Sequence, residues 1–61
     1  MGTLYTFYFF DGTCEKLRDG GFGAAWVRTW AKENLNCFDV WQVLYENRIV
    51  SGVDFFNNKE E

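Results

Sequence analysis

Thirteen aromatic residues (seven Phe, three Tyr and three Trp) are crowded into a chain of 61. A chain near this length buries only about 60% of the surface that its unfolded form exposes. One small core therefore has no room for so many large rings, and some of them must reach the surface. A surface patch of Trp, Tyr and Phe has the composition of a binding face. The length allows a single domain, expected over residues 1–56, with the polar stretch 57–61 as a frayed tail.

Charge and cysteine content narrow the function classes. Six Lys plus Arg stand against nine Asp plus Glu, a net charge of −3, which does not favour nucleic acid as a partner. The acidity is too dispersed to suggest DNA mimicry. The chain has no His, and its two Cys do not make a zinc site, so no metal and no cofactor are expected. No apolar run approaches the ~18 residues of a membrane span. The start Met1-Gly2-Thr3-Leu4-Tyr5 lacks the basic region of a secretory signal. The expectation is a soluble cytoplasmic protein with reduced thiols.

The local pattern reads as strand, strand, helix, strand, strand. Thr3 to Phe10 is an unbroken run of β-favouring residues. Asp11-Gly12 suits a two-residue type I′ turn, and Thr13 to Arg18 returns as a polar edge strand. Asp19 is the expected N-cap of a helix over Phe22 to Asn34. On that helix Phe22, Trp26, Trp30, Val27 and Ala31 fall on the core side, while Arg28, Thr29 and Lys32 fall opposite. Phe38 to Tyr45 and Arg48 to Phe56 alternate as two strands joined at Glu46-Asn47. Pairing Tyr45 with Arg48 sets Leu44 against Ile49, Val43 against Val50, Trp41 against Gly52 and Val40 against Val53. The expected fold is a small single α+β domain, ββαββ, with one helix packed on a mostly antiparallel four-stranded sheet.

This pairing leaves both sheet faces apolar. If Phe38, Val40, Leu44, Ile49, Val53 and Phe55 meet the helix, then Trp41, Val43, Tyr45, Val50 and Phe56 do not. The first strand adds Tyr8 and Phe10 to that uncovered side. Large aromatics each offer roughly 150–250 Å² for burial, so the open face would reach or exceed the largest apolar patch of ordinary monomers, roughly 300–600 Å². Trp41, Val43, Tyr45, Val50, Phe56, Tyr8 and Phe10 are accordingly the candidate interaction residues. The expected partner is a second copy in a homodimer, or another protein.

Chemistry-bearing residues give weaker signals. Cys14 and Cys37 each precede or open a strand and could approach at one end of the fold. With no His to activate either thiol, the simplest reading is two ordinary small hydrophobes. Gly20-Gly21-Phe22-Gly23 resembles fragments of the dinucleotide fingerprint and of the RNA-recognition signature. Trp26 and Ala24 occupy positions those motifs reserve for other residues, so the segment reads as a hairpin-to-helix joint. Asp39 and Asp54 are expected as cross-strand neighbours at a solvated rim. Lys16, Arg18, Arg28 and Lys32 read as solvated cations. No catalytic residue is assigned, and the chain is expected not to be an enzyme.

In size and acidity, though in no motif, the chain resembles the small proteins that phages and mobile elements encode to block a host protein, anti-CRISPR and other anti-defence inhibitors among them. The resemblance implies a non-enzymatic inhibitor that plugs a host surface. The alternative is a single-stranded nucleic-acid binder that stacks bases on exposed sheet aromatics.

Overall fold

Aromatic and β-branched side chains dominate Thr3 to Phe10. In the computed structural model, which describes residues 2–57, the centre of this run forms the first strand, β1 (Leu4–Phe9). The chain continues through β2 (Cys14–Arg18), helix α1 (Ala24–Asn34) and a 3-10 turn (Cys37–Asp39). It returns as β3 (Val40–Tyr45), β4 (Arg48–Ser51) and a short helix α2 (Gly52–Phe56). All pairings are antiparallel and the strand order is β2-β1-β3-β4. This is the expected small α+β domain, with one addition: α2 replaces the continuation of the fourth strand to Phe56. The pairing of Tyr45 with Arg48, Leu44 with Ile49 and Val43 with Val50 is as expected. The matches of Trp41 with Gly52 and Val40 with Val53 do not form, because the strand stops at Ser51. Of the tail 57–61, only Asn57 lies within the described residues.

Both hairpins form, but the two-residue type I′ turn expected at Asp11-Gly12 does not. At Asp11-Gly12 only Gly12 takes positive φ, at 91°. Gly12 N donates to Phe9 O (3.1 Å) and Phe9 N to Thr13 O (2.9 Å), a three-residue loop ending in a left-handed glycine. Asp11 Oδ1 accepts from Thr13 N and from Thr13 Oγ1. The turn with both central residues at positive φ is Glu46-Asn47, at 53° and 62°.

Asp19 does not cap α1, whose N-cap is Gly23 with no side-chain bond. It is buried, and its Oδ1 accepts from Thr3 N (2.8 Å) and Gly21 N (2.9 Å) while Oδ2 accepts from Gly23 N (3.1 Å). One carboxylate thus ties the start of β1 to the glycine-rich joint ahead of the helix. Gly2 is part of the same knot, since a Cβ there would collide with Asp19 Oδ1.

The expected core face of β3 holds at Val40 and reverses beyond it, because the strand carries a bulge. Tyr8 pairs with Gln42 but Phe9 pairs with Val40, which makes Trp41 the extra residue. The bulge reverses the alternation, so Val40 before it and Val43 and Tyr45 after it share the face under α1. Tyr5, Phe7, Val27, Ala31, Val40, Val43, Tyr45 and Phe55 form the core cluster. Val43 and Tyr45 are therefore buried, and Val50 packs against them half-buried. None of the three stands on an open face. Leu44 and Ile49, expected under the helix, lie instead on the uncovered face with Leu4 and Tyr8.

The helix follows its expected stripe at Val27 and Ala31, which are fully buried. Its first aromatics do not. Phe22 precedes the helix and is exposed, its ring tilted at 32° against Trp26 with 5.5 Å between centroids. Arg28, expected in solvent, is buried: its Nε donates to Phe55 O at 2.6 Å and its guanidinium lies 4.9 Å from the Phe55 ring centre. Arg28 thereby fastens α2 to α1.

Candidate interaction groove

Where the sheet ends next to α2, a groove of about 510 Å³ opens. β1 delivers Phe10 just past its last paired residue, and Phe10 N donates to Asp39 O (3.1 Å), which holds this end of the strand to the 3-10 turn. The turn presents Phe38, with Asn36 Oδ1 accepting from Phe38 N (3.0 Å). The bulge turns Trp41 into the groove. Helix α2 supplies Val53 and Phe56.

Helix α2 sits where it does for local reasons. Ser51 Oγ accepts from Asp54 N (3.1 Å) and caps the helix. Gly52 then passes so close to Val40 O that a Cβ would overlap it. Phe56 meets Phe55 edge-on at 5.2 Å, which joins the groove wall to the core ring.

The exposure of this lining is high. Phe38 is 88% exposed, Phe10 and Val53 69% each, and Trp41 50%. At about 150–250 Å² per fully exposed aromatic, the three rings alone present roughly 300–500 Å². That equals the largest apolar patch of a typical monomer before Val53 and Phe56 are added. Among the described residues the lining carries one charge, Lys32, from the last turn of α1. The acids lie alongside: a second hollow of about 470 Å³, on the other side of Phe10, is lined by Asp11, Glu15 and Asp39.

Of the residues expected to form an interaction face, Trp41, Phe10 and Phe56 meet in the groove. Tyr8 is half-buried on the uncovered sheet face, and Val43, Tyr45 and Val50 belong to the core side. Phe38 and Val53, expected as strand residues beneath the helix, instead lie in the 3-10 turn and in α2 and line the groove. Two local signals mark them. Asn36 ahead of Phe38 favours a side-chain-closed turn, and Ser51 followed three residues later by Asp54 is a helix-start pattern.

The remaining chemistry is sparse. Cys14 and Cys37 are free, Cys14 exposed and Cys37 half-buried in the groove lining. The strands they introduce, β2 and β3, are separated by β1, hence by about 9–10 Å, beyond disulfide reach. Asp39 and Asp54 are not cross-strand neighbours, since one lies in the 3-10 turn and the other in α2. No cluster of three or more potential metal ligands occurs among the described residues. Lys16 and Arg18 stand on edge strand β2, far in the strand order from β4, while Arg28 is buried and Lys32 rims the groove.

Three groups have altered acidity. The backbone N–H groups of Gly21 and then Thr3 hold Asp19 below the ordinary carboxylate value. The Thr13 hydroxyl lowers Asp11 in the same way. Burial, and after it the charge of Asp19, pushes Tyr5 up. All three serve turns and core and stand outside the groove lining. Among the described residues no helix is long and apolar enough to cross a membrane. Comparison of the chain with protein-family models, with curated proteins and with solved structures found no match.

Proposed function

We propose that this chain is a non-catalytic interaction module that docks on protein through the groove at the end of its sheet. One observation carries the reading: Phe10, Phe38, Trp41 and Val53 come from four separate elements, remain at least half exposed, and converge on one hollow of about 510 Å³. A fold of this size gains stability from every ring it buries. Leaving four large apolar residues together in water calls for an occupant. Concave, aromatic-lined surfaces rimmed by few charges are where binding energy concentrates in protein interfaces. A host protein blocked by a small inhibitor is one form such docking takes. The nucleic-acid alternative has less support, because the uncovered sheet face offers Tyr8 as its strand aromatic and the chain is acidic overall.

The test is site-specific photocrosslinking. Benzoylphenylalanine replaces Trp41 in the groove or, as a comparison, the exposed Phe22 outside it, in cells that make the protein. Protein adducts from position 41 and none from position 22 support the reading. Equal labelling from both positions, no adduct from position 41, or adducts that nuclease removes would each overturn it.

A further inference from the structure

We infer that the occupant of the groove is a second copy of this chain, and that the two copies exchange Phe38. This rests on the docking reading above and names its partner. The argument begins with shape. A two-fold interface must be self-complementary, and two concave surfaces facing each other enclose a void unless each also carries a projection. This chain carries one beside its own groove. Phe38 stands 88% exposed on a one-turn 3-10 element, held rigidly by the Asn36 side chain and by the bond from Asp39 N to Asn36 O (2.9 Å). The hole next to it is lined by Trp41, Val53 and Phe56.

Charge points to the same pairing. The only charge among the described lining residues is Lys32, and the residue that follows Phe38 is the exposed carboxylate Asp39. A segment that inserts Phe38 into the partner's groove brings Asp39 toward Lys32, the one charge among the described lining residues. The projection therefore has the apolar side chain and the acid that the hole calls for. Two-fold symmetry makes both contacts twice.

Area is sufficient as well. One side of a standard interface buries about 800 Å², somewhat more than half of it apolar. The exposed rings of the groove supply roughly 300–500 Å² of that, and Val53 and Phe56 supply more.

The experiment is sedimentation equilibrium of the full chain from about 1 µM to 1 mM, where mass action resolves a monomer–dimer equilibrium. The wild type is expected to approach twice its 7.2 kDa mass. Phe38→Ala is expected to weaken the dimer by roughly 30-fold or more, the loss typical of a central aromatic anchor. Lys32→Glu and Asp39→Lys are each expected to weaken it by about 10-fold, and the double variant to recover to within a few-fold of wild type. All these side chains are exposed, and an unchanged circular dichroism spectrum confirms that each variant folds. A wild type that stays monomeric throughout overturns the inference. So does a dimer indifferent to Phe38→Ala, or a charge reversal with no recovery. A monomer that still yields crosslinks to a different protein from position 41 defeats self-pairing alone. A monomer with no adduct there defeats the docking reading too.

Discussion

Asp19 shows how much one side chain can organise in a chain this short. It receives backbone N–H groups from Thr3, Gly21 and Gly23, and so fixes where β1 begins and where the joint to α1 runs. Those bonds favour the charged form, so its folded value lies below the unfolded one near 3.8. Its contribution to stability is present above that value and disappears as the pH falls through the lower folded value. Asp19→Asn should therefore lower the melting temperature at neutral pH. The difference from wild type should shrink as the pH falls from about 5 through the lowered folded value, as the native side chain takes up its proton. Thermal unfolding across that range checks it, and a gap that stays constant would mean the carboxylate's charge is irrelevant. The sequence marks Asp19 as a helix cap. Its partners are backbone groups that only the folded chain brings near, Thr3 above all, sixteen residues away.

At the scale of elements, helix α2 leaves the least trace in the sequence, yet it supplies Val53 and Phe56 to the groove. Gly52-Val53-Asp54-Phe55-Phe56 has strand-like alternation, and five residues are too few to show a helical period. Local capping by Ser51 and tight passage of Gly52 over Val40 decide the outcome. Gly52→Ala should destabilise the fold by roughly 1–3 kcal/mol, because the added methyl must push α2 off the carbonyl. In a domain this size that lowers the melting temperature by about 4–8 °C per kcal/mol. Calorimetry measures it directly, and an unchanged transition would show that α2 does not bear on β3 as described. β1, β2, α1 and the β3–β4 hairpin, by contrast, were legible from turn residues and from alternation. The β3 bulge was not. A bulge is a property of two paired strands, and neither strand's own alternation reveals it.

At the scale of the molecule, nine of the thirteen aromatics fall into three groups. Tyr5, Phe7, Tyr45 and Phe55 make a core of stacked and edge-on rings. Phe22 and Trp26 pair in solvent, and Phe10, Phe38 and Trp41 line the groove. Phe55 is the hub: its ring touches Tyr5, Phe7, Tyr45 and Phe56, and its carbonyl holds Arg28. Phe55→Ala should cost about 3–5 kcal/mol. Against a total of roughly 3–9 kcal/mol expected for a chain of this length, the variant should be largely unfolded in little or no urea by tryptophan fluorescence. A cooperative transition near the wild-type midpoint would contradict that central role. The sequence by itself determined the α+β class, the hairpins, the buried stripe of α1 and the excess of rings over core, because each follows from local preference or from surface-to-volume scaling. Tertiary structure alone decided which rings are inside. The parity of β3 depends on its register with β1, and the groove exists only where β1, the 3-10 turn, β3 and α2 are brought together.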